Sequence, residues 1–317
     1  MKRCSPPLLR SLALGLVTVL AGTVTAHAAN WYMVQGNISN QTWNDTASSA
    51  SFKYWANSPS VTDYVGSPDP RYATAMDPLS TYYVQGTFNS APKAIRTGQT
   101  GANLTFAGGK LVLIGTHLGI RSTGVNTAYV GHVEAQGASF RAYSTGINNF
   151  SAGLFEVTGS SASTFEVGGS GDSNRTHNVA ITTLSGSGDL AFSNGTGGGT
   201  GTAFTVSIGN ASAYTGDLIL SSGTLTFTSA LTANSLILNT GTFNLTNNIT
   251  VSSLSVAGTA VLAGTYTAAD LEALTSTNLN IAGGALLTVS SIPEPSTSVL
   301  ALGGLAGLVA FCQKRRR

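Results

Sequence analysis

Three Gly-Thr pairs, at 223, 241 and 258, recur at spacings of 18 and 17 residues. Each sits among apolar residues that alternate with Thr, Ser and Asn. Leu218-Ile219-Leu220 leads to Leu225 and Phe227, Leu236-Ile237-Leu238 leads to Phe243 and Leu245, and Leu254 and Val256 lead to Val261. A period of two is what a strand with one buried face requires. A unit this short has no room for a crossover helix, so the next strand lies on the previous unit and like residues stack in register. The pattern predicts an all-β chain: a β-solenoid in which Leu225, Phe243 and Val261 point inward and stack. Glycine suits the corners because it reaches positive φ without a Cβ clash. Asn239, Asn247 and Asn248 suit them because Asn tolerates the left-handed region.

The same grammar continues upstream. Leu104–Phe106, Lys110–Ile114, Val130–Val133, Leu154–Val157, Phe165–Val167 and Val179–Ile181 read as strands separated by Gly/Ser turns, with Gly195–Gly201 leaving the coil as a loop. Abundant Gly and Ser with only 9% charged residues is also a disorder composition. The regular apolar alternation argues against disorder. Residues 95–290 are assigned to the repeats. Residues 30–94 hold all three tryptophans, Trp31, Trp43 and Trp55, and a cluster of tyrosines, Tyr54, Tyr64, Tyr72, Tyr82 and Tyr83. They are assigned to an N-terminal cap and first coils, because an uncovered solenoid end exposes a strand edge. Ala268–Leu274 has helical spacing and reads as a capping turn at the other end.

The two chain ends carry address signals. Lys2, Arg3 and Arg10, the apolar run Ser11–Val24, and Ala26-His27-Ala28 form a signal peptide over residues 1–28, with signal peptidase cutting after Ala28 or Ala29. At the C-terminus, residues 292–317 fall into three parts. Pro293-Glu294-Pro295-Ser296-Thr297 is a stiff neck, because each proline fixes φ and lacks an amide donor. Ser298–Cys312 is uncharged and reads as a transmembrane helix carried by Ser298, Val299, Leu300, Leu302, Leu305, Leu308, Val309 and Phe311. At roughly 1.5 Å per residue it reaches about 22 Å, against about 30 Å of hydrocarbon, and the neighbouring polar and basic side chains extend it. Lys314, Arg315, Arg316 and Arg317 hold the end in the cytoplasm by the positive-inside rule.

This three-part tail resembles the PEP-CTERM sorting signal. The resemblance implies an exosortase-like membrane protease that cuts near Pro-Glu-Pro and delivers the protein to the surface of a Gram-negative-type bacterium. Proteins with this signal are commonly associated with exopolysaccharide and biofilm matrix, which makes exopolysaccharide a candidate partner. An ordinary membrane anchor is the alternative reading of the same residues. The body resembles the autotransporter-associated β-strand repeat proteins, through Leu184-Ser-Gly-Ser-Gly-Asp-Leu190, Tyr214-Thr-Gly-Asp-Leu218 and Ser222-Gly-Thr-Leu225. That resemblance implies a right-handed parallel β-helix used as a surface stalk or passenger and carries no catalytic residues.

Charge and cysteine follow the same division. The formal +2 comes from the ends: between Ala29 and Ile292 there are eight basic and twelve acidic residues, so the body is about −4 and no nucleic-acid partner is expected. Cys4 and Cys312 both lie in the terminal signals, so no disulfide staples the body. A catalytic face would have to gather carboxylates with a base, and the best candidates are Glu134, Glu156 and Glu166 with Arg141, Arg175 and His132 or His177. Solvated charges on the outer face are the plainer reading. Gly168–Asp172 offers one imperfect match to a calcium nonapeptide, and His117, His132 and His177 lack zinc-site spacing. No cofactor, metal or catalytic residue is therefore assigned. Two functions remain: a non-enzymatic surface or matrix protein, and a carbohydrate-active or carbohydrate-binding β-helix on the same anchor. Convergence of the three glutamates would favour the second.

Overall fold

The structure is a computed structural model. It describes residues 28–34, 37–38, 47–49, 52–60, 71, 73, 75–88, 91–96, 104–120, 126–142, 147–167, 175–195, 202–274 and 278–290.

The chain winds as a β-solenoid. Successive coils each place one strand in a first sheet and the next in a second, and within each sheet the neighbours pair in parallel. In the first sheet Thr81–Gln85, Lys110–Ile114, Asn126–Gln136, Ile147–Thr158, Thr176–Gly186, Ala203–Tyr214, Thr224–Phe227, Gly241–Asn244 and Leu279–Ala282 follow one another. In the second sheet Ala94–Arg96, His117–Ile120, Ser139–Ala142, Ser163–Val167, Leu190–Ser193, Asp217–Leu220, Leu231–Leu238, Ile249–Val256 and Leu287–Val289 do the same.

Register puts like on like. Ile95, Leu118, Phe140, Phe165, Phe192, Leu220, Leu238 and Val256 form one inward column, each paired with the next. All eight are fully buried. Phe140 and Phe165 lie 4.9 Å apart, and Phe165 stacks on Phe192 at 5.8 Å. Burying each such ring is worth about 1.5–3 kcal/mol, and the ring pairs add about 0.5–1.5 kcal/mol.

The long strands turn corners without ending. Inward residues alternate until two outward residues come together: Gly131-His132 between Val130 and Val133, Gly153-Leu154 between Ala152 and Phe155, and Gly209-Asn210 between Ile208 and Ala211. The Gly-Asp-Leu segments make another corner, which Gly188 and Gly216 share in successive coils. A Cβ on Gly216 would lie 2.1 Å from the Gly188 carbonyl oxygen, so no other residue fits there. Asp189 Oδ1 accepts from the Asp217 amide at 3.1 Å, tying one coil to the next.

Leu225 and Phe243 are fully buried and paired in register. Val261 departs from the expected column. Ala257 (φ 49°) and Gly258 (φ 81°) both take positive φ and form a tight hairpin turn, so Thr259–Val261 folds back antiparallel on Leu254–Val256. Ile281 stands where Val261 was expected, paired with Phe243. The third Gly-Thr pair is thus a hairpin, not a coil corner. The asparagines differ too, because among the described residues Ala257 is the only non-glycine with positive φ. Asn247 instead donates from Nδ2 to the Phe227 carbonyl at 2.9 Å, and Asn248 Oδ1 accepts from the Leu286 amide at 3.1 Å.

The segment opened by that hairpin covers the C-terminal end. Gly264–Tyr266 pairs antiparallel with Leu287–Val289, and the helix Ala268–Glu272 follows. Thr267 caps the helix: its hydroxyl accepts from the Asp270 amide, and the Asp270 carboxylate accepts from the Thr267 amide. Leu271 is fully buried, and a Glu272 carboxylate oxygen takes the edge amide of Ile281. At the N-terminal end Trp55–Ala56 closes the first sheet, antiparallel to Tyr32–Met33. Trp55 is fully buried against Tyr82 at 5.1 Å, edge to face.

Among the described residues no helix is long and apolar enough to cross a membrane. The expected spanning segment Ser298–Cys312, the sorting residues Pro293–Thr297, the basic residues Lys314–Arg317 and Ala26 lie outside the described residues.

Candidate functional site

The three glutamates proposed from sequence separate into two places. Glu134 and Glu156 hold the same register position on adjacent strands and face outward from the first sheet. Lys110, on the strand before them, reaches both: its Nζ lies 2.5 Å from Glu134 Oε2 and 3.1 Å from Glu156 Oε2. His132 Nε2 is 3.4 Å from Glu156 Oε2. Glu134 Oε1 accepts from Gln136 Nε2 at 2.6 Å and from Thr158 Oγ1 at 3.0 Å. Glu166 is elsewhere, on the second sheet, with Arg141 Nε 2.5 Å from its carboxylate.

This geometry sets the ionisation of Glu134 and Lys110. Partial burial alone would raise the Glu134 carboxyl, but hydrogen bonds from Lys110, Gln136 and Thr158 and the lysine's charge outweigh it and hold the carboxyl below its ordinary range. For Lys110 burial opposes the charge, and hydrogen bonds to Glu134 and Glu156 with their negative charge raise the ammonium above its ordinary value. A general acid needs the opposite arrangement, a carboxyl pushed up by an apolar surrounding. Both Glu134 oxygens are already occupied. The arrangement is a charged ladder that ties three coils together.

Two proposed members of the face are not on it. Arg175 is 1% exposed and His177 fully buried. Arg175 Nη1 donates to the Ala142 carbonyl at 2.6 Å. His177 is an inward residue, with Phe165 at 5.5 Å and Phe204 at 6.2 Å. Burial pushes its imidazole down to about 4, so it is neutral at pH 7. The strand explains the difference: in Thr176–Gly186 the buried positions are His177, Val179, Ile181 and Leu184, so His177 falls on the apolar phase. The alternation around His177 was the available signal.

The aromatic end divides similarly. Trp55 and Tyr82 fill the core, and Trp31 is partly buried against it. Tyr32 and Tyr83 stack on each other at 4.9 Å on the outer face. Trp43, Tyr64, Tyr72 and the Gly168–Asp172 turn lie outside the described residues. A furrow of about 300 Å³ runs along the corner between Ala211–Thr215 and Thr232–Asn234, and its only ionisable side chain is the phenol of Tyr214. That phenol is buried and donates to main-chain oxygens of the Gly188–Asp217 corner, so it is part of the fold. Among the described residues no cluster of three or more His, Cys, Asp or Glu is placed to hold a metal ion.

Residues 291–317 match the PEP-CTERM protein-sorting motif. No curated protein and no solved structure matches the chain. The motif implies an exported protein that passes through the membrane to the cell surface and is processed by an exosortase, here with a β-solenoid body.

Proposed function

We propose that this protein is a non-enzymatic structural component of the bacterial surface or extracellular matrix, built as a right-handed β-helix and sorted through its C-terminal signal. The sorting motif over residues 291–317 carries this reading. A signal peptide at the N-terminus starts export, Ser298–Cys312 stops transfer as a transmembrane helix, and Lys314–Arg317 stay inside. The exosortase reads Pro293-Glu294-Pro295. The right hand follows from the strong preference of parallel strand–crossover–strand connections. Association with exopolysaccharide in a biofilm is the matrix role that fits such a signal.

A non-enzymatic role is supported by the surroundings of Glu134 and Glu166. Glu134 is held ionised by donors on both oxygens, and Glu166 is paired separately with Arg141. A carbohydrate-binding or carbohydrate-active β-helix remains the second reading, and the outward Tyr32–Tyr83 stack is the feature that favours it.

Glu294→Ala in the native host tests the sorting step. The residue lies outside the apolar run, so membrane insertion is expected to survive. Processing is expected to stop, leaving the uncleaved chain in the inner membrane. A Glu294→Ala protein of mature size at the cell surface would show a generic anchor instead.

A further inference from the structure

The first described residues are held by a clasp whose chemistry suits a free amine. The Ala29 amide nitrogen donates to Ser80 Oγ at 3.0 Å. The Ser80 hydroxyl hydrogen is committed to Asp77 Oδ2, so its oxygen faces Ala29 as an acceptor. Asp77 Oδ1 accepts from the Leu79 amide at 3.1 Å, which fixes the carboxylate in the turn. Those two bonds, Ser80 first, hold the Asp77 carboxyl below its ordinary range, so the clasp carries a negative charge. Ser80 is fully buried, whereas Ala28 is exposed. Ala29 is also needed at its other end: its carbonyl accepts from the Thr81 amide at 2.9 Å and begins the pairing of Asn30–Met33 with Thr81–Gln85. The nearest lysine in register, Lys110 opposite Thr81, turns its ammonium to Glu134 and Glu156.

We infer that Ala29 is the N-terminus of the mature protein and that the Ser80–Asp77 clasp is the seat of its α-ammonium group. The inference rests on the export reading above and selects one of the two cleavage positions the sequence allows. Water adds to the Ala28 carbonyl carbon and the Ala28–Ala29 bond breaks. The water's oxygen stays on Ala28, which leaves as a carboxylate, and both of the water's protons go to the Ala29 nitrogen, which becomes an ammonium. That nitrogen then offers more donors and a full positive charge to an oxygen backed by a carboxylate, an arrangement stronger than the amide bond it replaces. Cutting one residue later removes both Ala29 partners. The buried Ser80 oxygen and the Thr81 amide would lose their bonds, and buried groups left unsatisfied are costly. The leader agrees. A cut after Ala28 has Ala26 and Ala28 at the two small positions, and a cut after Ala29 has His27 at the first of them.

The full chain, expressed in an exporting host, provides the test. N-terminal sequencing of the mature product is expected to begin at Ala29. A start at Asn30 would overturn the inference and leave export standing, and a chain retaining Met1 would overturn both. The seat is read separately, by acylating the α-amino group at pH 7 with a limiting amine-reactive ester. A carboxylate-backed seat raises the amine's pKa, and one unit lowers the reactive fraction about tenfold. Acylation of the folded protein is therefore expected to be about tenfold slower than in urea, and Asp77→Asn is expected to remove most of that protection. Equal rates in the folded and urea-unfolded wild type would show that the amine is not seated in the clasp. That comparison needs no variant to fold.

Discussion

His177 is a titratable group built into the apolar interior, and its consequence is acid lability. In the folded chain burial holds its pKa near 4, against an ordinary 6.5 when unfolded. The unfolded chain therefore takes up the proton first as pH falls. Stability from this residue is complete above pH 6.5, declines between about 6.5 and 4, and is fully lost below that. The loss is about 3 kcal/mol, from about 1.4 kcal/mol per pKa unit. Urea midpoints at pH 7 and pH 4.5 should differ more for the wild type than for His177→Leu, and equal differences would place the proton elsewhere. A second residue-scale outcome separates two positions that look alike in sequence. Phe243→Asp buries a charge among Leu225, Phe227 and Ile281 and should prevent or severely impair folding. Val261→Asp, in the half-buried hairpin, should lower the melting temperature far less. Leu225 and Phe243 were legible because each lies two residues beyond a corner glycine in register. Val261 was misplaced: it lies three residues beyond Gly258 rather than two, and Ala257-Gly258 makes a hairpin turn rather than a corner.

At the scale of elements the two ends and the outer ladder decide behaviour. The C-terminal cap covers an edge that a parallel solenoid otherwise leaves open to another chain. Its helical spacing was visible in Ala268–Leu274, and Thr267 with Asp270 forms the cap that begins it. The bond from the Ile281 amide to Glu272 was not visible, because it joins the helix to a strand that follows a further turn. Glu272→Ala should leave the Ile281 amide exchanging with solvent much faster. Amides in the middle coils, such as Phe165 and Phe192, should keep their protection. Uniform loss of protection would mean that the cap holds the whole stack rather than its last coil. The ladder of Lys110, Glu134 and Glu156 was half legible. Alternation placed both glutamates outward, but their convergence depends on the exact number of residues in each loop between coils. Those loops, rich in Gly and Ser, carry no periodic signal.

The whole molecule separates an exported body from the signals that move it. The body carries a net charge of about −4 with no cysteine, so its stability rests on stacked side chains and interstrand hydrogen bonds, and reduction should leave its melting temperature unchanged. The tail was the most legible part of the chain, because charge, apolar length and proline act there without depending on tertiary contacts. Its parts also fail differently. In the sorting step proposed above, Pro293-Glu294-Pro295 is the segment a protease reads, whereas Lys314–Arg317 act by charge. Each cation costs about 2.5–3.5 kcal/mol at the centre of a bilayer, so four in a row do not follow the chain across. Replacing all four by serine removes that barrier behind an apolar run already short for about 30 Å of hydrocarbon. The variant should slip in part into the periplasm with Pro293-Glu294-Pro295 intact, and cell fractionation with an antibody to the body would detect it. Retention equal to wild type would mean that the apolar run alone stops transfer.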